Sequence, residues 1–264
     1  MRIERLGGLG DAPAVLLAVA DAAGRQGLPP PAGLIGDWFG SRAVIAPVVT
    51  VAPVDRSNVL SAPQSAGPQP GAVGGGWIGY LSYPDSGADG GAPRIPEAAG
   101  GWADCVLRQD GAGVWWYESL SGKPPPRWLS RALPGRRQPW CHIGWDDADR
   151  AAHRAGVQAC LEAITRGEVY QACVCTQFAG PVTGAPVDFF VEAVARTAPA
   201  RAAFVAGPWG AVASLSPELF LRRVGDTVTS SPIKGTLPRH AAPSALRDSA
   251  KDVAENIMIV DLVR

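Results

Sequence analysis

Two hairpin signals separated by helical segments limit the fold of this chain more than any other feature. Strand-forming residues flank Asp110-Gly111 and, later, Gly225-Asp226, and each dipeptide favours a tight turn between antiparallel strands. Helical periodicity covers residues 146–167 and 187–198. Strands grouped in hairpins, with helices between the groups, predict an α+β fold rather than a regular βαβ winding.

The other elements follow from local composition. Asp11 can cap a helix that runs to about Gly27, and the proline run at 29–31 ends that helix. Segments rich in proline and in glycine or arginine are predicted loops and connectors, at 61–76, 84–101 and 119–140. The remaining predictions are a helix that begins after Pro243 and strands at 43–52, 77–83, 170–178, 202–206 and 210–214.

The composition is that of a globular protein. Hydrophobic residues make up 47% and charged residues 18% of the 264 positions, so a packed core is expected and global disorder is not. Basic and acidic residues number 24 each, which argues against the broad charged surface of a protein that binds nucleic acid or an anionic membrane. No secretory signal and no run of 18 apolar residues is visible, so we expect a soluble, cytoplasmic protein.

The cysteines and histidines do not form a recognisable metal or disulfide pattern. There are five cysteines and no CxxC pair, so neither a disulfide framework nor a zinc ribbon is predicted. Cys173-Val174-Cys175 is interpreted as part of a strand with two thiols on one face, because free cysteine behaves as a small apolar residue. The histidines lack metal or triad spacing, and all three are interpreted as structural or surface residues: His142, His153 and His240.

A lysine and a carboxylate lie at the two open ends of the second hairpin. Glu218 follows Ser216-Pro217, and Lys234 lies in a bend directly after the returning strand. Because a hairpin brings its ends together, the two side chains are expected to face one cavity. Such a pair can supply a nucleophile and a general acid. The residues alone leave open a second interpretation, an ordinary surface ion pair that contributes less than about 1 kcal/mol.

Four ordered motifs resemble those of the chorismate-utilising enzymes. This family includes anthranilate synthase large subunits, aminodeoxychorismate synthase component I, and isochorismate and salicylate synthases. The N-terminal stretches 34–40 and 76–80 resemble the variable N-terminal region of component I proteins. The motifs are Gly167-Glu168-Val169-Tyr170-Gln171, Ser216-Pro217-Glu218, Pro232-Ile233-Lys234-Gly235-Thr236 and the segment 255–262 that begins Glu255-Asn256-Ile257-Met258.

The resemblance implies a fold and a division of the chain. The expected fold is the anthranilate synthase component I-like two-sheet sandwich with flanking helices. Residues 1–140 would form the variable N-terminal region, and residues 141–264 the first part of the chorismate-binding catalytic domain. Because the family's catalytic domain continues beyond the motif at 255–262, we expect a C-terminally truncated chain with an incomplete fold and little activity of its own.

The resemblance also implies a reaction. Aminodeoxychorismate synthases have Pro-Ile-Lys-Gly-Thr where anthranilate synthases usually have alanine at the lysine position, so Lys234 favours synthesis of 4-amino-4-deoxychorismate from chorismate and ammonia, the first step toward p-aminobenzoate and folate. A separate glutaminase subunit would supply the ammonia. Two alternatives stay open: an anthranilate synthase large subunit, and a non-catalytic fragment that lacks half of the active site.

The implied site combines two catalytic groups with substrate and metal ligands. Gln171 cannot act as a base at neutral pH, which disfavours the addition of water to the ring; a structural role for Gln171 fits as well. Thr236 could equally cap its turn, and the alternative for Glu255 is a solvated helix carboxylate. The implied roles are nucleophile for Lys234, general acid for Glu218, substrate binding for Gly235, Thr236 and Gln171, and Mg²⁺ ligand for Glu255.

Overall fold

The computed structural model describes residues 1–61, 71–82, 95–133 and 137–263. Up to residue 133 the elements are β1 (Arg2–Gly7), α1 (Ala12–Arg25), β2 (Ala32–Trp38), β3 (Ser41–Ala46), β4 (Ala52–Pro53), a 3₁₀ helix (Arg56–Ser61), β5 (Gly76–Leu81), β6 (Ala98–Ala103), β7 (Cys105–Gln109), β8 (Trp115–Ser119) and α2 (Arg127–Ala132). From residue 137 they are β9 (Cys141–Ile143), α3 (Arg150–Thr165), β10 (Val182–Gly184), α4 (Pro186–Thr197), β11 (Arg201–Gly207), β12 (Gly210–Ser214), β13 (Leu219–Val224), β14 (Thr227–Ser231), α5 (Ser244–Arg247) and α6 (Ala250–Val263).

A seven-stranded antiparallel sheet organises the chain. Its strand order is β1-β8-β7-β3-β2-β11-β12, so two strands from the second half extend a sheet built by the first half. The junction is a four-residue ladder that runs from Arg201 opposite Gly36 to Phe204 opposite Gly33. The division of the chain at residue 140 stays a prediction.

Alternate residues of this sheet point into two separate cores. Ile35, Ile45 and Phe204 face the helical side, where they pack with α1, α2 and α4. The neighbouring Val44 and Val205 belong to the opposite core. This period of two is what a strand requires when both faces of its sheet are covered.

The second core lies between the large sheet and the three-stranded sheet β4-β6-β5. Tyr80 of β5 packs edge-on against Trp209, with ring centroids 5.5 Å apart. Gly100 of β6 allows close contact across this small sheet, because a Cβ atom there would overlap the Trp77 ring. Two packed sheets with helices on the outer face confirm the predicted α+β sandwich.

Local signals predicted several elements correctly. Asp11 caps α1 by accepting a hydrogen bond from the Ala14 N–H at 2.8 Å. Asp110 closes the β7–β8 turn, where its carboxylate accepts from the N–H groups of Ala112 and Val114, each at 2.9 Å. The second hairpin turns at Gly225-Asp226 between β13 and β14, as predicted.

Other elements were missed or misplaced. The predicted loop at 84–101 contains the start of β6, whose alanine and glycine residues have low strand propensity and are held by pairing with β5; residues 83–94 lie outside the described part. The predicted connector at 119–140 contains α2, and helix α3 begins at Arg150 with Asp149 as its cap instead of Asp146 or Asp147. Strand β1 was not predicted.

The predicted strand at 170–178 is wrong. Residues 171–178 have no regular secondary structure and join no sheet of the described chain. Val174 instead packs against helix α3, since a Cβ atom at Gly156 would lie 3.2 Å from its Cγ1. The alternating pattern therefore did not make a strand here, because a strand also needs a hydrogen-bonded neighbour.

The elements that carry the four motifs lie outside both cores. Helix α3 contains no buried residue, and Phe220 of β13 is 82% exposed. Leu262 on α6 is 68% exposed. An apolar surface of this kind is an aggregation hazard. No helix in the described ranges is long and apolar enough to span a membrane.

Arg137 connects the segment before β9 to two helices. Its guanidinium donates to both oxygens of the buried Asp188 on α4, at 2.6 and 2.7 Å, and its Nε donates to Asp21 on α1 at 2.8 Å. The Trp140 N–H also donates to Asp188. Burial alone would raise the pKa of Asp188. The hydrogen bonds from Arg137 and Trp140 and the charge of Arg137 together lower it by more, so the pKa lies below the ordinary value of 3.8.

Asp188→Ala is expected to lower the free energy of unfolding at pH 7 by about 1 to 3 kcal/mol. Because the folded-state pKa is depressed, the contribution of Asp188 is complete above pH 3.8 and is lost as the pH falls through the lower folded value. Urea titrations at several pH values test this. The control is Asp37→Ala, which breaks the more exposed pair with Arg201; equal losses for the two variants would contradict the prediction.

Candidate active site

The second hairpin brings the Glu218 carboxylate to the residue next to Lys234. Leu219 pairs with Ser231 at the open end of the hairpin, and the Ile233 N–H donates to Glu218 Oε1 at 2.8 Å. A carboxylate that accepts a main-chain N–H is held in a defined position relative to the following residue. The hairpin thus holds Glu218 at the main chain one residue before Lys234.

The two side chains do not form the surface ion pair of the second interpretation. No salt bridge of 4.0 Å or less joins Lys234 to a carboxylate of the described residues. Glu218 is exposed and Lys234 is half-buried. The lysine amine is therefore not neutralised by Glu218, and its assignment as nucleophile stays a prediction.

Gly235 fixes the turn that follows Lys234 against the helices at 244–263. Its φ of 75° lies in the left-handed region, which favours glycine. A Cβ atom at this position would lie 2.6 Å from Leu246 Cδ2 and 3.1 Å from Asp252 Cγ. The turn thus packs on the first turn of α6, three residues before Glu255. The motif with Lys234 and the motif with Glu255 are therefore neighbours in space.

Gly235→Ala is expected to loosen this contact. The new methyl group meets Leu246 and Asp252 in a strained backbone conformation, so we expect faster amide hydrogen exchange in α6, by about 10-fold or more. Gly167→Ala is the matched control, because Gly167 has the same φ of 75° but nothing within 4 Å of where its Cβ atom would lie. Equal exchange in α6 for both variants would mean that the contact does not hold the turn.

Glu255 alone does not make a metal site. Its carboxylate accepts Lys251 Nζ at 2.9 Å one helical turn earlier, and Asp252 lies 3.7 Å from the same amine. Among the described residues, no group of three or more histidine, cysteine, aspartate or glutamate side chains is arranged to hold a metal ion. Mg²⁺ prefers six oxygen ligands, so the residues present do not fit the ion without further donors.

Gln171 and Thr236 are both exposed. Gln171 lies in the irregular segment after α3, and no hydrogen bond joins it to Glu218 or Lys234 in the described part of the chain. Their substrate-binding roles stay predictions. Asp252, which touches Gly235, was not singled out from the sequence; its place three residues before Glu255, on the same helical face, was the available signal.

A wide cleft of about 1160 Å³ lies elsewhere in the second half. Its lining includes Trp145, Asp146, Arg150, Thr176 and Phe178, from the loop before α3, the start of α3 and the irregular segment after it. None of the predicted site residues lines this cleft. The prediction that Lys234 and Glu218 face one cavity is therefore not supported by this cleft and stays a prediction.

The family model described as chorismate binding enzyme matches residues 49–264. The chain belongs to the chorismate-binding enzyme family. The matched range contains all four motifs, including Lys234 and Glu218. The family expected from the motifs is thus confirmed.

Individual members of the chorismate-binding enzyme family show the same relationship. The chain is 32% identical over 225 residues to an aminodeoxychorismate synthase of Streptomyces pristinaespiralis, covering 72% of this chain and 31% of that protein. It is 36% identical over 110 residues to aminodeoxychorismate synthase component 1 of Escherichia coli strain K12, covering 39% and 24%. It is also 36% identical over 126 residues to an anthranilate synthase component 1 of Haloarcula marismortui, covering 45% and 26%. The chain therefore spans about a third or less of these relatives.

Proposed function

We propose that this chain is part of an aminodeoxychorismate synthase, which converts chorismate and ammonia into 4-amino-4-deoxychorismate for p-aminobenzoate and folate synthesis. The observation that carries the proposal is the hydrogen bond from the Ile233 N–H to Glu218, which holds the carboxylate at the main chain one residue before Lys234. The names of relatives from two Streptomyces species, at 32% and 43% identity, support the same reaction.

The proposed mechanism uses the lysine and the carboxyl group in turn. The Lys234 amine adds to C2 of the chorismate ring, and the double bond shifts as the C4 hydroxyl leaves. Glu218 gives a proton to that hydroxyl, which departs as water. Ammonia then adds at C4 and expels Lys234 from C2, so the net reaction exchanges a hydroxyl for an amine. Gly235 and Thr236 contribute a main-chain N–H and a hydroxyl to substrate binding, and Gln171 is the third substrate-binding residue of the proposal.

The ammonia comes from a partner in this proposal. Ammonium is the main form at neutral pH and has no free electron pair for attack. A glutaminase subunit that releases NH₃ next to the site would supply the nucleophilic form directly. Relatives that carry the name component 1 support the existence of a second component. No glutaminase constellation was recognised in the sequence of this chain.

The proposal includes Mg²⁺ as the cofactor. Chorismate carries two carboxylates, and Mg²⁺ would offset their charge, with Glu255 as one ligand. Further oxygen ligands would have to come from outside the described residues, so no step of the mechanism is assigned to the ion. A location in the cytoplasm is part of the proposal.

The product can distinguish the alternatives. The anthranilate synthase relatives of Haloarcula marismortui and a 2-amino-4-deoxychorismate synthase of Streptomyces globisporus, at 33% identity, support amination with a different outcome. Lys234 favours 4-amino-4-deoxychorismate. A non-catalytic role of the isolated chain is supported by the exposure of Glu218 and the incomplete metal site.

Product analysis tests the proposal. With chorismate, ammonium and Mg²⁺, a gene product that carries these residues within a whole family domain is expected to form 4-amino-4-deoxychorismate, identified by chromatography and mass. The 264-residue chain alone is expected to be slower on the order of 100-fold or more, because half-assembled sites lose orientation. Anthranilate as the product would contradict the proposed reaction. Equal rates for the 264-residue chain and for the whole family domain would contradict the expectation that the chain needs the rest of the domain for activity.

A further inference from the structure

We propose that a cavity on the helical side of the large sheet binds a primary ammonium ion that carries a compact apolar body. The cavity has a volume of about 390 Å³ and lies between the C-terminal half of α1, the start of α4 and the β11–β12 hairpin. None of its lining residues belongs to the four motifs, so this site goes beyond the proposed chorismate chemistry.

Apolar residues form most of the cavity wall. Phe204 of β11 and Val187 of α4 are buried members of the core on the helical side, and Ala206 and Ala211 pack against the same core. The buried Pro31, just before β2, adds to the wall. Such a wall binds a ligand by removing apolar surface from water. The volume lies in the range of about 300 to 1000 Å³ that is usual for small-molecule sites, so the ligand body is apolar and compact.

The charged groups at the cavity carry a net negative charge. Among the described residues, Asp21 and Arg137 are the charged residues that line it, and their side chains are 31% and 34% exposed. Arg137 donates to Asp21 and also to both oxygens of the buried Asp188. One positive and two negative charges leave this cluster at −1. No ion pair within 4.0 Å joins Asp21 to Arg25, one helical turn later, in the described part of the chain.

Asp21 keeps acceptor capacity for a ligand. Within the described residues its carboxylate accepts from Arg137 Nε alone, at 2.9 and 2.8 Å, and an ionised carboxylate offers about four acceptor sites. An anion is disfavoured at the start of α4, because Asp188 already places a negative charge in the first turn of that helix. A primary ammonium ion supplies three donors and the positive charge that the cluster lacks.

Three probes that share one ring test the charge preference. Cyclohexylmethylammonium, cyclohexylmethanol and cyclohexanecarboxylate have the same apolar body and differ in charge. Each is titrated into the 264-residue chain at neutral pH, and calorimetry gives the dissociation constant. We expect one ammonium ion per chain, bound about 10-fold or more tighter than the alcohol, and no binding of the carboxylate. Equal affinity for the ammonium and the alcohol would overturn the proposal, as would no binding of the ammonium or tighter binding of the carboxylate.

Asp21→Asn isolates the contribution of the carboxylate. Asparagine keeps an oxygen that can accept from Arg137 but removes the negative charge. The ammonium and the alcohol should then bind with equal affinity, because the difference between the two probes measures the interaction with Asp21. A merely structural effect would weaken both probes by the same factor and keep their difference. Asp37→Asn is the control, since Asp37 is exposed and pairs with Arg201 at the far end of β2, and it should leave the preference unchanged.

Ala211→Leu tests the cavity without a change in charge. The larger side chain fills part of the volume, so the ammonium should bind about 10-fold or more weakly. Circular dichroism confirms that each variant retains its secondary structure. A preference for the ammonium that survives Asp21→Asn would overturn the proposal, and so would binding that Ala211→Leu leaves unchanged. The outcome does not bear on the chorismate reaction, whose predicted residues lie outside this cavity.

Discussion

Replacement of Glu118 by alanine is expected to lower the free energy of unfolding by about 3 to 5 kcal/mol, the cost of leaving a buried charge without its partner. Glu118 is fully buried in β8, and its Oε1 accepts Arg108 Nε at 2.5 Å. Its Oε2 accepts the N–H groups of Val73 and Gly74 at 2.6 and 2.8 Å. One carboxylate thus neutralises a nearly buried arginine and holds the segment that leads into β5.

Two further variants separate charge from shape. Glu118→Gln keeps the volume and one acceptor, so we expect a smaller loss than for alanine. Glu4→Ala is the control on the neighbouring strand β1, where Glu4 pairs with Arg2 in solvent and contributes no more than about 1 kcal/mol. Urea unfolding followed by tryptophan fluorescence measures all three. If Glu118→Ala lowered the free energy of unfolding no more than Glu4→Ala, water would be solvating the charge of Arg108 in place of the carboxylate.

The elements that sequence predicted well are those whose cause is local. The Asp11 cap and the turn at Asp110 depend on hydrogen bonds within four residues, and both were predicted. β6 depends on pairing with β5, and its Ala-Ala-Gly-Gly sequence carries no local strand signal. The hydrogen bonds from Val73 and Gly74 to Glu118 join residues that are 45 and 44 positions apart in the chain. At that separation a single sequence shows no pattern that predicts the contact.

The same difference governs the candidate site. The hydrogen bond between Glu218 and the Ile233 main chain joins the two open ends of one hairpin, so the nearness of the two motifs could be predicted from local sequence. The prediction that Glu218 and Lys234 face one cavity stays a prediction. The contact of Gly235 with Asp252 was missed, because it depends on how α6 packs against the turn. The strand at 170–178 was wrong for a related reason: its pattern is that of a strand, but no partner strand pairs with it in the described chain. The motif resemblance thus identified which residues belong to the candidate site, but it did not show which residues pack against them.

Replacement of Lys234 by alanine is expected to lower the rate of chorismate amination by about 1000-fold or more, in a protein that carries these residues within a whole family domain. A thousandfold loss corresponds to about 4 kcal/mol of transition-state stabilisation. The reason is chemical, because in the proposed mechanism the Lys234 amine forms a bond to the ring and alanine has no nucleophile to replace it. Omitting ammonia should trap the adduct of chorismate minus water on Lys234, detected by peptide mass.

Lys234→Arg separates the nucleophile from the positive charge. Arginine keeps the charge, but its guanidinium stays protonated and does not attack carbon, so this variant should be as slow as alanine. Lys123→Ala, at an exposed position before α2, is the control and should keep the full rate. If Lys234→Arg retained activity, the lysine would act only by charge. The covalent route from Lys234 to C2 would then be wrong, although the hydrogen bond between Ile233 and Glu218 would remain.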